Sequence, residues 1–343
     1  MSLSHILFVE LVGGLGDVVM ALPAIRGLAR SHPAAEVAVF CFAPYVSLLH
    51  GEPYISTVYG ATRRDWPDGT PMAKDELARV LVEQHFDLAI SDVRYGGIEQ
   101  VIEASGVNHA VTRLWDRTDR NERIEHCFLR NLTEQGWVRP EFADDIARLH
   151  LTDNERLWAD AWHRMHADSR RVVLLNTDSG IDAKRWPAEN FVALGRELQR
   201  LSDTTILVAG SDHAGLAKGI AEKIGRGAVV LPRLPIRQFA SIAAQCSLMV
   251  SSDTGPARVA AAVGTPVVAL FGPTWAGRYG LPAPNVNLQS PYRCDTYEAM
   301  NTTKQPCWYG RCAQPDKRSC MDDLDWGVVW GRVLRLLEDR RAA

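Results

Sequence analysis

No apolar run in this chain approaches the roughly 18 residues that a membrane-spanning helix needs, so a transmembrane anchor is not expected. Basic residues bring no excess either. Lys and Arg number 38 against 41 Asp and Glu, and a formal charge of −3 gives no nucleic-acid footprint. The opening Met-Ser-Leu-Ser-His passes straight into an apolar run, with neither a basic region nor a small-residue cleavage site. That start predicts no secretory signal and a cytoplasmic protein. None of the seven cysteines forms a Cys-x-x-Cys pair, and no short-period repeat is visible. What is present is ordinary for a soluble globular chain: 46% apolar and 23% charged residues. Its 343 residues exceed one common core and suit two domains.

Apolar runs and helical patterns alternate from the start. Ile6 to Glu10 reads as a buried strand, followed by the glycine turn Gly13-Gly14-Leu15-Gly16 and a helix over Val18 to Arg30. A second strand is expected at Glu36 to Phe42, another at Asp87 to Ser91, with helices near 71–84, 98–104 and 120–135. The pattern restarts after a helix near 155–167. Strands at Val172 to Asn176, Thr205 to Ala209, Leu248 to Ser252 and Pro266 to Phe271 alternate with four more helices. Such alternation predicts an α/β protein with two parallel sheets covered by helices on both faces. The junction is expected near residue 165. Arg278 to Met321 reads as an irregular excursion, and Trp326 to Arg340 as a last amphipathic helix.

Strand, glycine turn and helix bring a backbone close to a ligand phosphate. A nicotinamide cofactor would also need an acid at the end of the second strand, where Val39 to Ala43 holds none. Asp17 has two readings: a helix cap, or a catalytic base at a strand's C-terminal edge. Ser252-Asp253-Thr254-Gly255-Pro256 opens a helix after a buried strand, so free amides there can hold a diphosphate or Thr254 can merely cap. The loop from Thr177 through Ser179, Gly180 and Lys184 to Pro187 offers an ammonium, as a phosphate ligand or as a plain surface charge. Trp186 beside Pro187 suits a helix-start staple better than a stacking platform.

These motifs, taken jointly, resemble glycosyltransferase family 9, the ADP-heptose:lipopolysaccharide heptosyltransferases. The resemblance rests on Gly14-Leu15-Gly16-Asp17 with Leu22-Pro23-Ala24, on Lys184 to Pro187, and on Ser252 to Pro256 with Gly264-Thr265-Pro266 and Leu270 to Thr274. It implies a GT-B fold with two Rossmann-like domains and an inverting, metal-independent transfer that needs no cofactor. Residues 1–165 would bind the acceptor, a glycan or lipid-linked glycan. Residues 166–322 would bind a nucleotide-diphosphate sugar, an ADP-sugar by preference, and 323–343 would pack back as a helix. Asp17 falls on the family's base and Lys184 on its phosphate lysine. Gly14, Gly16, Ser179, Gly180, Asp253, Thr254 and Gly255 fall on binding segments. A lipid-linked acceptor would imply at most peripheral contact with the inner face of the cytoplasmic membrane.

The sequence departs from the family at three places. Arg258 stands where histidine is usual, though a guanidinium also binds phosphate. After Gly210 the ribose acid is missing from its expected place, leaving Asp212 as the substitute. Asp92 to Gly97 is unlike the acceptor loop of lipopolysaccharide enzymes. The reaction class follows from the resemblance more firmly than the sugar or the acceptor does. Within the loop 290–321, Cys294, Cys307, Cys312 and Cys320 admit a structural zinc or iron site or reduced free thiols. The reading from another class is a non-catalytic sugar-nucleotide-binding or scaffold protein of a glycan-assembly pathway.

Overall fold

The structure is a computed structural model that describes residues 3–62, 70–93, 96–112, 114, 121–167, 169–210, 215–298, 304–309, 312 and 319–342. Asp212 lies outside them. The chain divides into two units, Met1–His150 and Leu151–Ala343. Among the described residues no helix is long and apolar enough to cross a membrane.

The first unit holds one parallel sheet of five strands: β1 (His5–Glu10), β2 (Glu36–Phe42), β3 (Thr57–Ala61), β4 (Leu88–Ser91) and β5 (His109–Val111). Their order is β3-β2-β1-β4-β5, so the chain reverses direction of travel between β1 and β4. Crossover helices leave on opposite faces there, and a crevice opens at the strands' carboxyl ends. Leu7, Val9, Phe40 and Ala89 form the core of one face under the helices Thr70–Glu83 and Ile98–Ala104. The first helix, Leu15–Ser31, crosses helix Ile124–Glu134 closely. A methyl on Gly27 would stand 3.1 Å from Leu129 and 3.3 Å from Val138. Inside this unit Arg26 is buried and forks onto both oxygens of the buried Asp145. Removing one member of such a pair strands a charge in the core, so Arg26→Ala is expected to cost about 3 kcal/mol. A denaturant titration reads this as a lower midpoint, and an unchanged midpoint would show that the pair contributes nothing.

The second unit has six parallel strands: β6 (Arg171–Asn176), β7 (Thr204–Ala209), β8 (Ala228–Val230), β9 (Leu248–Ser252), β10 (Val267–Phe271) and β11 (Val286–Gln289). The order β11-β10-β9-β6-β7-β8 reverses between β6 and β9 and is the doubly wound pattern of dinucleotide-binding sheets. One core packs Val173, Leu175, Val250 and Leu270 against Trp186, Phe191, Val329 and Val333. Helix Trp326–Ala342 therefore covers the same sheet face as helix Ala188–Gln199.

Two expectations are corrected here. The junction falls at 150/151 rather than 165, because helix Asp153–His166 joins the second core. Trp162 packs with Val172, Leu174 and Ile242, and Glu155 pairs with Arg237. The excursion 278–321 is not wholly irregular, since Val286–Gln289 adds the edge strand β11.

Candidate active site

In the first unit the candidate residues lie where the strand order reverses. Glu10 ends β1, the glycine turn follows, and Asp17 sits in the first turn of helix Leu15–Ser31. The turn is tied by carboxylates. Val12 N–H donates to Glu10 Oε1 at 3.0 Å, and Gly14 N–H donates to Asp17 Oδ2 at 2.8 Å. A Cβ on residue 14 would stand 2.7 Å from that same Oδ2, so a side chain there would displace the Asp17 carboxylate. Gly16 lies inside the helix, and Asp17 is half-buried. Both readings of Asp17 survive: one oxygen caps the helix, and the carboxylate still stands at a sheet's carboxyl edge.

Two further carboxylates gather there that sequence reasoning did not single out as site residues. Glu10 is fully buried, and Asp92, one residue past β4, is almost so. The register Val9↔Ser91 sets the two on neighbouring strand ends. Burial, then the charge of Asp92, then that of Asp17 hold Glu10 well above the usual carboxylate range. Burial and the Asp17 charge do the same for Asp92. An acid ending an otherwise apolar strand was the available signal.

The sign of that shift gives a stability prediction. A carboxyl with a raised folded pKa contributes fully at pH below its unfolded value near ~4.3 and progressively less as pH rises through the folded value. Glu10→Gln removes the ionisation and keeps an oxygen for Val12. It is expected to raise stability at pH 8 and to leave pH 4, below the unfolded value, nearly unchanged. Melting curves at the two pH values check this, and equal shifts at both would exclude a buried protonated Glu10.

In the second unit the candidates again meet at the reversal, between the ends of β6 and β9. Lys184 is not a surface charge. Its side chain is 13% exposed, and Nζ donates to Asp253 Oδ2 at 2.9 Å. Burial alone would raise Asp253, but the ammonium of Lys184 and the guanidinium of Arg258 outweigh it and hold the carboxyl below its ordinary range. Arg258, also buried, stands 3.4 Å from Asp253 and donates to the Tyr279 carbonyl. Thr254 caps helix Gly255–Ala262: its Oγ1 accepts from Ala257 N–H at 3.5 Å and lies 3.0 Å from Ser251 Oγ. Pro256 has no N–H and that of Ala257 is taken. The helix start thus offers a phosphate fewer amides than the usual four, and the cations weigh more.

Ser179 and Gly180 lie in the loop after β6. Ser179 N–H donates to Asp178 at 2.8 Å, and a Cβ on Gly180 would meet nothing within 4 Å. Trp186 is a core residue, its Nε1 donating to the Leu324 carbonyl at 2.8 Å. Trp308 was missed altogether. Its ring lies 5.1 Å from Lys184 Nζ. Cys294, Cys307, Cys312 and Cys320 are free thiols. Burial, then the other three cysteines, push Cys320 up to about 12. Among the described residues no group of three or more His, Cys, Asp or Glu side chains is placed so as to hold a metal ion.

A family model described as glycosyltransferase family 9 (heptosyltransferase) matches residues 136–311. Lipopolysaccharide heptosyltransferase 1 of Pseudomonas aeruginosa is 26% identical over 320 residues, spanning 85% of this chain and 86% of that protein. The glycosyl transferase family 9 structure from Veillonella parvula superposes with a TM-score of 0.80 at 19% identity, over 98% of each chain. ADP-heptose LPS heptosyltransferase II of Escherichia coli does so with 0.72 at 18%, over 98% of this chain and 99% of that one. At such identities the structures establish the fold, an α/β chain of two Rossmann-like sheets of GT-B type.

Proposed function

The chain belongs to glycosyltransferase family 9, and from that premise we propose that it transfers a sugar from a nucleotide-diphosphate donor to a hydroxyl of a lipopolysaccharide-type acceptor. The names of its relatives favour ADP-heptose as the donor. In this proposal the second unit binds the donor and the first the acceptor, and no metal takes part in the step. The protein works in the cytoplasm and meets its acceptor peripherally at the inner membrane face.

One observation carries the proposal: at the reversal point of the second sheet, a nearly buried ammonium rests on a buried carboxylate. A diphosphate arriving at this edge exchanges for Asp253 as the partner of Lys184. Asp17 takes the proton of the acceptor hydroxyl as its oxygen bonds to the anomeric carbon. The bond from that carbon to the diphosphate breaks, attack from the opposite face inverts the configuration, and the nucleoside diphosphate leaves. Lys184 stabilises the charge that grows on the leaving oxygen, and positive charge passes through the sugar ring. Gly255 and Arg258 add to the phosphate grip, with Ser179 and Gly180 flanking it.

A thermal-shift panel of ADP-, GDP-, UDP- and TDP-sugars tests the donor. A ligand held a hundredfold above its Kd stabilises the folded form by about 2.7 kcal/mol. The ADP-sugar is expected to give the largest rise. No rise with any of the four would remove the donor site.

A further inference from the structure

The cysteine-bearing segment after β11 is explained neither by the fold nor by the transfer step, yet it reaches the phosphate cation. Its anchor is Gln305, 1% exposed, whose Nε2 donates to the Pro273 carbonyl at 2.8 Å and to the Glu298 carbonyl at 3.1 Å. Pro273 lies in the turn leaving β10, the strand beside β9, whose end carries Asp253. A short helical turn, Pro306–Trp308, springs from that anchor, with Trp308 N–H donating to the Gln305 carbonyl at 3.1 Å. Cys307 points inward and is buried, while Trp308 is half-buried with its ring 5.1 Å from Lys184 Nζ. Lys184 is therefore held between a carboxylate and an aromatic ring.

We propose that Trp308 is a positioning residue for Lys184, its ring holding the ammonium at the phosphate edge while the diphosphate replaces Asp253. This rests on the donor role given to Lys184 above. The physics is specific to a cation and a π face. When a phosphate draws Lys184 away from Asp253, an unsupported four-carbon stem would be free to turn into solvent. A ring at this distance attracts the ammonium through its quadrupole without competing for its N–H donors. Asp253 and Trp308 thus act in succession. The carboxylate neutralises the cation at rest, and the ring keeps it in place after exchange. The segment acquires a purpose too, as a bracket that carries an aromatic to the donor edge from a sequence-distant loop.

The test uses the full chain, calorimetry with ADP, pyrophosphate and adenosine, and steady-state transfer. Trp308→Leu keeps apolar bulk without a π face. It is expected to weaken ADP and pyrophosphate binding and to lower kcat/KM about three- to tenfold, the range of a partly desolvated cation–π contact. Adenosine, which has no phosphate for Lys184 to meet, should bind unchanged. Trp308→Phe retains a face and recovers most of the loss. In a Lys184→Met background, Trp308→Leu should add nothing further. The proposal is overturned if Trp308→Leu binds and turns over ADP-sugar like the parent, if Phe and Leu lose equally, or if the loss persists without Lys184. An unaltered ADP affinity and turnover in Lys184→Met alone would instead remove the donor role of the lysine. Should Trp308→Leu not fold, the Phe variant in both backgrounds decides, a persistent loss without Lys184 again being the contrary result.

Discussion

Asp17→Asn is expected to cut glycosyl transfer by about 10²–10⁴-fold, the contribution of a positioned general base, with nucleotide binding intact. Asparagine is the informative replacement because Asp17 holds the Gly14 N–H at 2.8 Å as part of the helix start. The amide oxygen can accept that same bond, so the cap persists while the base is gone. Asp17→Ala removes both, adding a loss of about 1 kcal/mol in stability. The two variants should therefore agree in activity and differ in melting temperature. Transfer rates at saturating donor and acceptor, with ADP calorimetry alongside, separate the roles. If Asp17→Asn turned over like the parent, capping would be its whole function.

Lys184→Met should lower kcat by about 10²–10³-fold, as loss of one preorganised charge partner does. It should also destabilise the second unit by about 3 kcal/mol, since Asp253 stays buried with a single cation, Arg258, at 3.4 Å. Adding Asp253→Asn removes the carboxylate as well and leaves the buried Arg258 guanidinium beside a neutral amide. The double variant is expected to regain neither stability nor activity. Recovery of both would reduce Lys184 to a structural partner of Asp253. The acid limb gives an independent reading. Asp253 has a depressed folded pKa, so its contribution is present above the unfolded value near ~3.9 and lost as pH falls through the folded value. That loss should be absent from the double variant in acid-unfolding curves.

What sequence patterns revealed of this fold follows burial. β1, β6, β9 and β10 are interior strands with scarcely an exposed residue, and each appears as a short continuous apolar run. The strands that went unseen, β3, β5, β8 and β11, are the four sheet edges. They are short or half-exposed, and Thr57–Ala61 or Val286–Gln289 has no periodicity to distinguish it from a loop. The junction was misplaced for a related reason. Thr152 and Glu155 form a capping box that starts a helix wherever it packs, and only contacts such as Glu155 with Arg237 assign that helix to the second sheet.

The candidate site was legible one residue at a time. Asp17, Lys184 and Asp253 stand in local motifs whose strand–turn–helix context is visible in the sequence. Their partnerships are not, because Lys184 meets Asp253 across 69 positions and meets Trp308 from a still more distant loop. Glu10 passed as the tail of an apolar strand until the register set it beside Asp92.

The most direct measurement is the mass of a truncated lipopolysaccharide acceptor after incubation with the protein and ADP-heptose. One added heptosyl unit per acceptor, with one ADP released for each and no gain with Asp17→Asn, is the expected result. An acceptor unchanged in mass with every nucleotide sugar that the protein binds would contradict the transfer and leave a nucleotide-binding protein without that chemistry.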